Sequence, residues 1–114
     1  MLLDDLIYIR LSRMSMNNDG SQWDDAKAAA NYAKHGITFE AARDVFKDPF
    51  AIEQMDDRQH YGEERWTVLG MVQDRLLLVA YTIRGDSIRI ISARAAEPYE
   101  RREYHEQNAR NDQT

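Results

Sequence analysis

Between residues 65 and 93 the chain runs through three apolar segments joined by turns of only two or three residues, and this spacing leaves few folds open. In Arg65–Val72, Trp66 and Val68 alternate with Thr67, Leu69 and Met71, the period of a strand. Gln73-Asp74 supplies a tight turn into the apolar run Leu76–Ile83. Gly85-Asp86 supplies the next, into the β-branched run Ser87–Ala93. A parallel crossover needs about a dozen residues or more, so strands joined this closely are antiparallel neighbours in a meander. Phe50–Met55 adds a shorter strand ahead of them.

Upstream the period lengthens. Asp24 or Asp25 suits the start of a helix, and Ala26 through Lys34 are mostly strong helix formers. Gly36 suits the left-handed position that closes it. Thr38 is placed to cap a second helix, with Phe39, Ala42, Val45 and Phe46 as its apolar stripe and Asp48-Pro49 as its end. Beyond the strands, Pro98 suits the first turn of a final helix over Glu97–Gln107, charged nearly all round and carrying Tyr99 and Tyr104. The order predicts an α+β domain: two N-terminal helices packed on a four-stranded antiparallel meander sheet with a C-terminal helix, the helices laid on one face.

With 114 residues the chain has room for one such domain. Residues 1–21 read as an N-terminal extension, poorly ordered or a short helix; 22–108 form the domain and 109–114 a tail. Asp4 and Asp5 put negative charge where a secretory signal carries positive charge. No apolar run approaches the roughly 20 residues of a membrane helix. The absence of cysteine suits a reducing compartment, and a cytoplasmic protein is expected.

The net charge of −5 is unevenly spread. Residues 1–57 hold 6 basic and 11 acidic side chains, whereas 58–102 hold 8 arginines against 6 acids. Arginine presents a rigid fork of donors that matches phosphate, which lysine does not.

The usual chemical signatures are missing. His35, His60 and His105 are scattered without ligand spacing, the five glycines never cluster into a phosphate-cradling loop, and there is no nucleophile elbow. Neither a metal nor another cofactor is expected. What remains is the strand arginines. Strict alternation sends Arg89, Ile91 and Ala93 one way and Ile88, Ile90, Ser92 and Arg94 the other. Arg65 opens the first long strand, and Arg84 ends the next. Gathered at one sheet edge, such guanidinium groups would hold RNA phosphate and stabilise a phosphorane. The alternative is structural: Arg65 and Arg94 as braces to Glu63, Glu64 or Glu97.

A longer pattern then resembles a known family. Trp23-Asp24, Lys27, Asn31, Lys34-His35-Gly36-Ile37, Phe39, Val45-Phe46 and Asp48-Pro49 are similar to the front half of the BrnT toxins. Asp57-Arg58, Tyr61-Gly62-Glu63-Glu64-Arg65-Trp66 and Gly70 resemble that family's middle. Arg89-Ile90-Ile91-Ser92-Ala93-Arg94-Ala95, Glu100-Arg101 and Tyr104 resemble its end. The resemblance covers about residues 22–105.

The resemblance implies a RelE-like ribonuclease fold and the toxin of a type II toxin–antitoxin pair. Such a toxin would inhibit translation by metal-independent RNA cleavage through 2′-hydroxyl attack. A ribbon-helix-helix antitoxin (BrnA-like) would neutralise it, with promoter DNA bound only through the joint complex. Carried onto this chain, Arg65 and Arg94 are the expected transition-state cations, and His35 and Glu63 the candidate acid and base. Lys27, Lys34, Arg58 and Arg89 are the candidate RNA-binding residues. His35 also suits a helix end and Tyr81 the core. Two alternatives stay open: a catalytically inactive antitoxin-binding module and a nucleic-acid-binding regulator of the same fold.

Overall fold

The computed structural model describes residues 23–56 and 64–112. The expectations for residues 1–21, Arg58 and Glu63 lie outside the described residues. Helix α1 spans Asp25–His35. The Asp24 carboxylate starts it by accepting the backbone N–H groups of Ala26 and Lys27 at 2.8 and 3.1 Å. Gly36, at φ 70°, stops it in the left-handed region that glycine enters at no steric cost. Ile37 then dives into the core, and the Thr38 hydroxyl caps α2, Phe39–Arg43. A 3-10 turn over Asp44–Lys47 continues the apolar stripe, burying Val45 and Phe46. Ahead of α1, Trp23 meets Phe39 edge to face at 6.0 Å between ring centroids and lies under the Arg43 guanidinium.

Strands β1 (Ile52–Asp56), β2 (Arg65–Val72), β3 (Arg75–Arg84) and β4 (Ser87–Ala95) form one antiparallel sheet in chain order. The turns fall at Gln73-Asp74 and Gly85-Asp86. The last strand departs from strict alternation. Ala80 pairs with Ser92, but the next residue, Tyr81, pairs with Ile90. Ile91 is thus the extra residue of a β-bulge, and the parity of β4 changes across it. Ile88, Ile90 and Ala93 share the core face; Arg89, Ser92 and Arg94 share the other. Sequence alternation alone had set Arg89 and Arg94 on opposite faces.

Each face buries its own cluster. Val68, Leu77, Val79, Tyr81, Ile88, Ile90 and Ala93 pack with Ile37, Phe39, Ala42, Val45 and Phe46 from the helices. Tyr81 is core, as expected, its ring edge-on to Phe46 at 5.1 Å. The other face gathers Leu69 and Leu76 with Ala96 and Tyr104. Tyr104 belongs to the C-terminal helix α3, Pro98–Asp112, which therefore packs on the face opposite the first cluster. The physical reason is that Leu69, Leu76, Leu78 and Met71 make that face apolar at one end, and apolar area must be covered. Among the described residues no helix is long and apolar enough to cross a membrane.

Two polar side chains, the buried Asn31 and the half-buried Asp48, tie the layers together. The Asn31 amide donates to the carbonyls of Ile37 (3.1 Å) and Ala93 (2.9 Å), and its oxygen accepts the Ala93 N–H at 3.0 Å. The amide thereby imitates a neighbouring strand against β4, just past the bulge. Asp48 accepts the N–H groups of Phe50 and Met71 at 2.9 and 2.8 Å and the Tyr104 hydroxyl at 2.6 Å. Burial first, then the hydrogen bond to Asp48 and last the Asp48 charge push the Tyr104 phenol well above its ordinary value, so it stays a donor. At Gly70 an added Cβ would meet the Val45 side chain at 2.8 Å, which lets the 3-10 turn lie directly on β2.

Removing the Asn31 amide leaves three buried backbone bonds unmade, each group costing about 1–3 kcal/mol. Asn31→Ala is expected to destabilise the protein by about 3 kcal/mol or more. The check is the urea midpoint, which must fall with little change in slope; a shift under about 1 kcal/mol would show the amide to be dispensable.

Candidate functional site

The sheet register gathers the arginines. Asp56 of β1 pairs with Arg65 of β2, Arg65 with Thr82 of β3, and Thr82 with Arg89 of β4. Directly paired residues point to the same face. Arg65 and Arg89 therefore flank Thr82 on the face that bears α3, with their Cα atoms about 10 Å apart across two strand spacings. Thr82 is buried between them and its hydroxyl donates to the Glu64 carbonyl at 2.6 Å, fixing the chain where it enters β2. Along the same face Thr67, Ala80 and Ser92 keep partial exposure, whereas their core-face neighbours Val68, Val79 and Ala93 are fully buried. The row of arginines is thus the rim of a shelf that α3 roofs only at its far end.

Arg94 lies elsewhere on this face. It pairs with Leu78, four residues from Thr82, which puts it about 16 Å from Arg65 between Cα atoms. Its guanidinium makes a two-pronged contact with Glu100 of α3, at 2.8 and 3.0 Å. The brace anticipated from spacing is present, but its partner is Glu100 and not Glu97. Glu97 contributes its backbone N–H, which donates to Glu100 Oε1 at 2.8 Å. That bond is half of a capping box, with Pro98 in the first helical position and Glu100 in the third. Burial would raise the Glu100 carboxyl, but Arg94, the Glu97 amide and the Tyr99 hydroxyl outweigh it and hold the group below its ordinary value. The Glu100 hydrogen bonds in turn push Arg94 up.

Between this brace and the arginine row lies a cleft of about 270 Å³. Thr67, Leu69 and Leu78 form its floor, Gln54 and Asp56 one wall, and Tyr99, Glu100 and Glu103 the other.

His35, Lys27 and Lys34 belong to α1, which packs on the opposite face through Ala28 and Asn31. The structure brings none of the three into the row of Arg65 and Arg89. Lys34 and His35 stand in the last turn of α1, where positive charge complements the helix dipole. Lys27 is at the other end, near Asp24. The backbone N–H groups of Lys27 and Ala26 hold that carboxyl low, and the charges of Lys27 and Arg89 add to the effect, so Arg89 lies within electrostatic reach of the α1 N-terminus. Sequence reasoning missed Glu100 as the partner of Arg94 and Thr82 as the centre of the row. The Pro98-x-Glu100 spacing could have signalled the first; nothing local signals the second. Among the described residues no group of three His, Asp or Glu side chains is arranged to hold a metal ion.

A family model described as "Ribonuclease toxin, BrnT, of type II toxin-antitoxin system" matches residues 23–100. That span runs from the Trp23 contact through both arginine positions to Glu100. A search among curated proteins finds no match.

The linkage of Glu100 has a definite sign. Its folded carboxyl loses its proton more readily than the unfolded one, so its contribution is present above the ordinary value of 4.5 and fades as pH falls through the lower folded value. Glu100→Gln is expected to flatten the stability–pH curve in that acid window. Arg94→Met, which strands Glu100, is expected to cost about 2 kcal/mol, discounted because Arg94 is about a third exposed. Thermal melts from pH 3 to pH 7 check both.

Proposed function

The chain belongs to the BrnT family of ribonuclease toxins of type II toxin–antitoxin systems, and from that premise we propose that the row Arg65–Thr82–Arg89 is where RNA is cut. The observation that carries this reading is the shared register of two guanidinium groups on a partly exposed sheet face. The reaction is attack of a ribose 2′-hydroxyl on the adjacent phosphorus, which forms a cyclic phosphate and releases the 5′-oxygen. Its transition state adds negative charge on the phosphoryl oxygens, and paired arginines offset that charge without a metal ion. Arg94 sits farther along and carries the α3 brace, so we assign it a supporting part in holding the shelf. Glu63, two residues before Arg65 in the sequence, is our candidate base, and Arg58 a further phosphate contact.

Lys27, at the Arg89 end of α1, supports a path for RNA over the β4 edge; Lys34 extends it along the helix. His35 takes no step in this scheme. A local positive strip on a chain of net charge −5 is compatible with phosphate binding, because the field at short range follows the nearest charges. The further parts of the proposal follow from membership of the family: a RelE-like domain over residues 22–108, inhibition of translation, and action in the cytoplasm. A ribbon-helix-helix antitoxin neutralises the toxin, and only the pair binds promoter DNA.

The test is growth and RNA integrity on expression without an antitoxin. Arg65→Ala and Arg89→Ala are each expected to slow RNA cleavage by about 10²-fold or more while keeping stability within about 1 kcal/mol. His35→Gln is expected to leave cleavage within threefold, and chelator to leave it unchanged. Intact RNA with the unmutated protein, or full activity in both arginine variants, overturns the assignment.

A further inference from the structure

We propose that the cleft beside the arginine row is a nucleobase subsite that favours bases bearing an exocyclic amino group and disfavours uracil. The inference rests on the RNA reading above and deepens it by naming what the enzyme selects.

Position comes first. Arg65, Thr67 and Leu69 succeed one another on the same face of β2, in steps of about 6.6 Å. A phosphate held at Arg65 therefore places the base of its own or the next nucleotide over Thr67 and Leu69, the floor of the cleft. Size agrees. Pockets for drug-sized ligands run from about 300 to 1,000 Å³, and this cleft of about 270 Å³ is scaled for something smaller, such as one unstacked base.

The surfaces also fit a base. Leu69 and Leu78 give an apolar floor, and Tyr99, 57% exposed, stands on the wall as a stacking platform. Its hydroxyl leans on Glu100 Oε2 at 3.4 Å, which ties the ring to the Arg94 brace. Free-standing RNA bases are commonly recognised in this way, by a ring on one side and hydrogen bonds at the edge.

Charge decides which base. Among the described residues the lining acids are Asp56, Glu100 and Glu103, and the lining cation, Arg94, is engaged by Glu100. Such a lining repels phosphate and calls for N–H donors. Glu103 accepts one long bond from Gln54, 3.3 Å, and a carboxylate has about four lone-pair sites, so it retains capacity to accept more. Guanine, adenine and cytosine each present an amino group to such an acceptor. Uracil presents two carbonyl oxygens flanking a single N–H, and those oxygens meet the carboxylate with like partial charge.

The test is equilibrium binding of the four ribonucleoside 3′-monophosphates to the purified full chain, followed by NMR shifts, alongside mapping of RNA cleavage sites. The guanosine, adenosine and cytidine forms are expected to bind at least fivefold more tightly than the uridine form. Tyr99→Ala, at an exposed position that leaves folding intact, is expected to weaken all by fivefold or more. Glu103→Gln is expected to abolish the preference against uridine, because an amide can donate to its carbonyls. Equal binding of all four, no binding, or a preference unchanged in both variants overturns the subsite. Cleavage of RNA with equal binding overturns the subsite while leaving the nuclease reading intact. Selective binding without RNA cleavage supports the subsite and overturns the nuclease reading.

Discussion

The Asn31 side chain holds both backbone groups of Ala93, and the layout of the functional face depends on that contact. β4 is an edge strand with a bulge at Ile91, and an edge strand with an inserted residue is free to slip unless something fixes its register. Asn31 supplies the fixing bonds two residues beyond the bulge. With the register set, Arg89 falls opposite Thr82 and Arg94 opposite Leu78, both on the face away from α1. A slip by one residue would bury guanidinium groups among Val79 and Tyr81, at a cost no nearby carboxylate could offset. One buried amide thus governs where two cations lie.

Much of the family pattern serves this kind of anchoring. Asn31, Gly36, Ile37, Asp48, Gly70, Glu100 and Tyr104 are each accounted for by a cap, a close approach or a buried hydrogen bond. Asp48 joins the end of the 3-10 turn, β2 and α3 through one carboxylate, and Arg94–Glu100 joins β4 to the first turn of α3. Arg65 and Arg89 lie on one face of the sheet that this frame holds in register. A frame this specified lets a small sheet hold charged groups on a partly exposed face without collapsing onto them.

α3 shows how a helix without an apolar stripe still finds its place. Its sequence is charged nearly all round, and Tyr104 is its one buried aromatic anchor among the described residues. Ala96, just ahead of it, is hydrogen-bonded to Leu76 and completes the second cluster. The rest of its hold is polar: Asp48 on Tyr104, Arg94 on Glu100, and Asn108 donating to the Phe50 carbonyl. Polar bonds of this type add specificity of position more than bulk stability. The helix is consequently seated over one end of the sheet and leaves the other end to the arginines.

Local chemistry in the sequence determined the element order, the meander, the two turns and both caps of α1. Each of these depends on residues adjacent in the chain: alternating apolar side chains, an aspartate before a helix, a glycine after it. The resemblance to the toxin family was likewise legible, because its motif residues recur in order. Which arginines meet was a different matter. Simple alternation separated Arg89 from Arg94, since a bulge leaves no clear mark in a run such as Ile88–Ala93, and the pairing of Arg65 with Arg94 was implied by the family resemblance alone. The partner of Arg94, the face chosen by α3 and the cleft beside Tyr99 depend on residues far apart in the chain. Only the packing of both sheet faces, and the long-range hydrogen bonds of Asn31, Asp48 and Glu100, decided them.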